Sequence, residues 1–127
     1  MSLRYSWLVA AAMSAALALS AVAVAVPASA SAKATAHAAT VTVNVTAVDY
    51  KFHLSATSGK PGKITFKLTN KGQTSHDFKI NGVTSKLIAP GSSTSITVTF
   101  KKAGSYPYLC TVPGHAQLGM KGTFKIT

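Results

Sequence analysis

The chain has 127 residues, enough for one domain and not for two of ordinary size. Thirteen basic residues stand against two acidic ones, Asp49 and Asp77, for a formal net charge of +11. Such a charge favours anionic partners in a salt-dependent way. It does not point to nucleic acid, since every basic residue after Arg4 is a lysine and the lysines are scattered rather than clustered.

In chain order, the first feature is an apolar, alanine-rich run from Trp7 to Val26, broken only by Ser14 and Ser20. Arg4 precedes it and Pro27-Ala28-Ser29-Ala30 follows. A basic start, an apolar stretch and an Ala-x-Ala site predict a secretory signal peptide over residues 1–30. An uncleaved membrane anchor is the alternative, because about 20 apolar residues can span a bilayer. Residues 31–39 have no periodicity and are expected to form a flexible tail. The folded domain is then 40–127.

From there the pattern is that of strands. Val41–Val48, Ile64–Thr69, Ile96–Phe100 and Thr123–Ile126 alternate apolar and polar residues with period two, and Tyr50–Leu54 and His76–Ile80 are shorter candidates. Turn signals separate them: Ser58-Gly59, Pro61-Gly62, Asn70-Lys71-Gly72, Asn81-Gly82, Pro90-Gly91 and Ala103-Gly104. No ten-residue stretch has a helical period. Short strands with one apolar face each predict an all-β fold, two sheets packed face to face or a barrel. Tyr106-Pro-Tyr-Leu-Cys110 is a further strand, with Pro107 expected at an edge or bulge. After it, Thr111–Gly122 has no strand pattern. A loop of that length between two good strands usually carries function.

That loop holds the chain's single cysteine. Cys110, His115 and Met120 follow one another with four residues between successive members, and His76 opens a strand upstream. Copper alternates between a soft monovalent ion and a harder divalent one. One thiolate, two imidazoles and a weak axial thioether accommodate both states. Zinc fits less well, since structural zinc sites usually use several cysteines and rarely methionine. A binuclear copper centre would need a second cysteine in the loop. Singly, each residue has an ordinary explanation: a buried thiol, a solvated histidine, a methionine filling the core. Together they predict a metal site of His76, Cys110, His115 and Met120. His37 and His53 have no ligand partners at useful spacing.

The stretch Tyr106-Pro-Tyr-Leu-Cys-Thr-Val-Pro-Gly-His-Ala-Gln-Leu-Gly-Met-Lys-Gly122 resembles the ligand loop of the cupredoxins, the family of plastocyanin, azurin and rusticyanin. The likeness extends over most of 41–127, through Phe66–Asn70, Gly72, Ser75-His-Asp-Phe78 and Ala89-Pro-Gly91. It implies an antiparallel Greek-key β-sandwich and one type 1 copper ion, with His76, Cys110 and His115 equatorial and Met120 axial. Many members carry Asn after the first histidine, where this chain has Asp77. The backbone N–H there donates to the cysteine sulfur in the family. The side chain is expected either to act on the copper or to point at a neighbouring lysine or backbone donor.

The expected function is transfer of single electrons between redox partners. With all four positions filled by protein, no site is left for substrate. Four histidines cannot build the second copper centre of a copper enzyme, so no catalysis is expected. The alternative is an envelope protein that binds or buffers copper. A monomer is expected, exported to the periplasm or the cell exterior. Its redox partner should be acidic at the docking face, with weak association to anionic membrane or cell-wall surfaces. The docking face is expected around His115, where Val112, Pro113, Ala116, Leu118 and Gly119 are uncharged.

Overall fold

The computed structural model describes residues 39–127, so the predicted signal peptide and almost all of the predicted tail lie outside the described residues. Nine strands follow in chain order: β1 (Val41–Val48), β2 (Lys51–Leu54), β3 (Ser58–Gly59), β4 (Gly62–Asn70), β5 (Lys79–Ile80), β6 (Val83–Thr84), β7 (Ser93–Phe100), β8 (Gly104–Leu109) and β9 (Lys121–Ile126). They form two sheets, ordered β2-β1-β4-β7 and β3-β9-β8-β5-β6. This is a β-sandwich, and the described residues include no helix. The sheets are mixed rather than purely antiparallel. β1 runs parallel to β4 in the register Val41↔Ile64 to Ala47↔Asn70, and β3 runs parallel to β9. Alternation in a strand says which face is buried, but not which way its neighbour runs.

The alternating residues behave as a period of two requires. Val43, Val45 and Ala47 of β1 point inward with Ile64, Phe66 and Leu68 of β4 and Val98 and Phe100 of β7. From the other sheet come Ile80, Tyr108, Phe124 and Ile126, with Phe78 just ahead of β5. Phe66 is the hub. Its ring lies 5.4 Å from that of Phe78, 5.3 Å from Phe124 and 6.3 Å from Phe100. Outward positions are mostly threonine, serine and lysine, including the hydroxyl pair Thr65–Thr97 between β4 and β7.

Pro107 sits in β8 opposite Thr123, on the stretch of β8 that β5 does not reach, since β5 pairs only with Tyr108 and Leu109. Its missing N–H therefore removes no bond to β5. Asn81 and Gly82, both with positive φ, form the two-residue turn joining β5 to β6. Gly122 is a strand residue rather than the end of the loop. A side chain there would run into the Tyr108 ring.

All of this leaves one end of the sandwich made of connections: the turn Asp49–Tyr50, the segment 71–75 after β4, and the loop 110–120 between β8 and β9.

Candidate metal centre

The three predicted nitrogen and sulfur donors converge at that end. Ligand atoms of His76, Cys110 and His115 all lie within 4.8 Å of one another. The two imidazole Nδ1 atoms face each other at 3.1 Å, and the Cys110 sulfur is 3.6 Å from Nδ1 of His115. Three donors about 2.0–2.3 Å from a shared ion, in a trigonal plane, would be roughly 3.5 Å apart. The two spacings that involve His115 bracket that value, and the third is no more than 4.8 Å. His76 and Cys110 are buried, and only His115 is partly exposed.

Local backbone structure sets these positions. His76 is fixed by a pair of backbone hydrogen bonds with Ile88, each accepting from the other's N–H. The loop closes on itself: the Cys110 N–H donates to the Met120 carbonyl at 3.0 Å, and the Met120 N–H to the His115 carbonyl at 3.1 Å. Those two bonds bring buried Met120 back beside the cysteine that begins the loop. Gly114 and Gly119, at φ of 86° and 118°, make the turns that a side chain would strain.

Burial pushes the Cys110 thiol above its ordinary pKa. The backbone N–H groups of Asp77 and Val112 pull it the other way, and the Asp77 carboxylate adds to the rise. A buried thiol of this kind is held as thiolate only when a cation accompanies it. Two ring nitrogens aimed at each other likewise need a proton or a cation between them. This set of one thiol and two imidazoles fits one type 1 copper ion.

Asp77 is the first of two carboxylates here. Its oxygens accept from the backbone N–H of Thr111 at 2.6 Å and from the Thr111 hydroxyl. Of the alternatives weighed above, the side chain takes a backbone donor rather than a lysine. It links the segment that bears His76 to the residue after Cys110.

The second carboxylate, Asp49, was missed by the sequence reading. Oδ1 lies 2.7 Å from Nε2 of His76 and accepts from the Thr74 hydroxyl at 2.8 Å, while Oδ2 accepts from the Gln73 N–H at 2.7 Å. Hydrogen bonds from the Gln73 N–H first, with Thr74 and His76, hold this carboxyl at a pKa of about 2 against some desolvation. Its neighbour Tyr50 sets its ring edge-on to His115, with centroids 4.8 Å apart. The available signal was scarcity. The chain has two acidic residues, and both are at this site. His53 lies exposed on β2, and the described contacts give it no place in the centre.

A β-sandwich whose end gathers one cysteine and two histidines defines a class of small mononuclear metal proteins. The cupredoxin-like domain family matches residues 15–124, and the chain belongs to that family. A stretch of 41 residues is 44% identical to auracyanin-B of Chloroflexus aurantiacus, covering 32% of this chain and 17% of that protein. Another of 42 residues is 43% identical to the copper-resistant cuproprotein CopI of Pseudomonas aeruginosa, covering 33% of this chain and 23% of that protein. These relatives are matched over less than a quarter of their length. Among solved structures, the chain is similar to dithionite-reduced auracyanin from Roseiflexus castenholzii, with TM-score 0.61 and 20% identity over 69% of this chain and 98% of the other. It is also similar to auracyanin A, a "blue" copper protein of Chloroflexus aurantiacus, with TM-score 0.58 and 21% identity over 68% and 98%. Both likenesses concern the fold.

Proposed function

We propose that this chain is an exported carrier of single electrons. It would hold one copper ion with Nδ1 of His76, Sγ of Cys110 and Nδ1 of His115, and Met120 would be the fourth residue to hold it. One observation carries the reading: a buried thiol and two ring nitrogens lie within 4.8 Å of one another, with the His115 nitrogen 3.1 Å from that of His76 and 3.6 Å from the sulfur. When bound, the copper supplies a one-electron couple between its monovalent and divalent states. The chain's part is to hold the donors still through that change. Three would-be ligands share one loop closed by backbone hydrogen bonds, and the fourth is tied to Ile88, so little has to move. With the positions filled by protein, no reaction on a substrate is expected.

His115 is the exit ligand in this reading, being the one donor of the three that reaches the surface. Around it, residues 111–119 carry no charge and Leu118 is 63% exposed. A partner docks against this apolar loop. An acidic rim on that partner would meet Lys71 and Lys121 at the same end. The basic start, apolar run and Ala-x-Ala site support export, to the periplasm or the cell exterior.

Adding divalent copper to the purified domain should give an intense visible absorption band from the thiolate–copper bond, and Cys110→Ser should abolish it. A wild type that stays colourless would overturn the reading. The likeness to CopI supports a second reading, in which the same ligands store or buffer copper in the envelope. Exchange kinetics separate the two. A carrier exchanges electrons rapidly with a small redox protein of acidic surface, whereas a buffer has no such requirement.

A further inference from the structure

The Asp49–Tyr50 turn, between β1 and β2, touches both imidazoles of the centre from outside. Asp49 reaches the buried one. Its Oδ1, 2.7 Å from Nε2 of His76, takes that nitrogen's proton as a hydrogen bond and so leaves Nδ1 bare toward the site. Tyr50 reaches the other. Its ring stands 4.8 Å from the His115 ring at an interplanar angle of 68°, and 6.3 Å from that of His76 at 89°.

The surroundings are built to keep the carboxylate there. Asn70, fully buried, accepts from the Gly72 N–H at 2.8 Å and donates to the carbonyls of Thr74 and Ile88 at 2.7 and 3.0 Å. Segment 71–75 is thereby folded so that the Gln73 N–H and the Thr74 hydroxyl converge on Asp49. Gly72 passes directly over the pair. A Cβ at that position would collide with the Asp49 carboxylate and come within 3.0 Å of Nε2 of His76. Only a residue without a side chain lets the hydrogen bond form.

We propose that this two-residue turn is the positioning element of the centre. Asp49 selects the tautomer and orientation of His76 and adds negative charge behind it, while Tyr50 holds the His115 ring and limits the access of water to it. The inference rests on the copper reading above and assigns the turn a role within it. Partners outside the ligand set that orient ligating histidines typically change metal affinity about 10–100-fold when removed.

Four variants test it: Asp49→Ala, Asp49→Asn, Tyr50→Phe and Tyr50→Ala. Copper loss to a competing chelator should be about 10–100-fold faster in Asp49→Ala. Asp49→Asn keeps an oxygen acceptor, so it should retain copper nearly as wild type does. It loses the charge, however, and with it about tenfold of the preference for the divalent ion. For a one-electron couple that is a rise of about 59 mV in reduction potential. Tyr50→Phe should leave both readings unchanged, and Tyr50→Ala should speed copper loss severalfold with the visible band kept. In the metal-free protein, the slowly exchanging Nε2–H proton of His76 should be visible by NMR in wild type and absent in Asp49→Ala. A blue wild type whose Asp49→Ala and Asp49→Asn variants match it in copper loss and potential would overturn the proposal. So would a metal-free His76 proton unaffected by Asp49→Ala. A colourless wild type would instead sink the copper reading, and the NMR signal would still report on the turn.

Discussion

The two ends of the sandwich differ in charge, although Lys51, Lys71 and Lys121 also stand at the metal end. At the metal end, residues 111–119 are uncharged, and the only two carboxylate side chains of the chain are engaged there, with the 73–76 segment and with Thr111. At the opposite end lie Lys60, Lys63, Lys101, Lys102 and Lys125, around the starts of β4 and β8 and the ends of β7 and β9. All eleven lysines of residues 39–127 are exposed. The molecule is therefore an electrical dipole as well as a cation. In the field of an anionic partner it is both attracted and turned. An electron should leave where the surface is apolar and close to a ligand. Lys71 and Lys121 flank that contact, and the larger group of lysines sits at the far end, where it costs no desolvation at the contact.

Three changes would break or sharpen this contrast. The largest effect is expected at the metal end. Leu118→Glu places a charge in the apolar contact, at a cost of about 1–3 kcal/mol for a polar group poorly compensated on burial. Electron exchange with a partner should slow roughly 10–100-fold, with the visible spectrum unchanged. An unaltered rate would move the docking face elsewhere. Next comes Asp77→Asn. Asparagine can still accept from the Thr111 N–H, so the loop should hold. Removing the negative charge disfavours the divalent ion, and the potential should rise by a few tens of millivolts, on the order of 1 kcal/mol at a surface-like dielectric. Equal potentials by voltammetry would mean that Asp77 only ties Thr111 in place. The smallest effect is expected at the lysine end. Lys101→Gln with Lys102→Gln should leave spectrum and potential alone and reduce the salt dependence of exchange, changing the rate by less than about twofold at physiological ionic strength, where the screening length is ~8 Å. A larger loss would make the far end a docking face in its own right.

Much of the sandwich could be read before any coordinates, because a half-buried strand writes its burial into every second residue. Val41–Val48 is β1 to the residue, and the runs at 64–69, 96–100 and 123–126 grew by two or three residues at their ends. β3 and β6 could not be found in this way, since a two-residue strand has no period. Asn81-Gly82 was legible as a turn but not as the hairpin it closes. His76 pairs through an isolated bridge to Ile88, and the predicted strand at 76–80 shrank to Lys79–Ile80. The centre was legible for a different reason. Three of its four predicted ligands share one short loop, so their spacing survives in the linear sequence. Asp49 and Tyr50 belong to the same centre but lie 27 and 65 residues from the histidines they touch. Their proximity comes from the parallel pairing of β1 with β4, which puts the end of β1 beside the segment leading to His76.

That same pairing fixes how the domain can be wired. Because β1 starts level with Ile64, near the start of β4, the polypeptide enters the sandwich at the lysine end, and β9 leaves it there too, with the Thr127 N–H bound to the Gly59 carbonyl. Both ends of the described chain thus emerge at the pole opposite His115. A cysteine or linker added at either end would let the protein be grafted to an electrode with its metal end facing solution. A graft through the 111–119 loop would point that end at the conductor instead. The same molecule could then be mounted in two polarities by choosing where it is held.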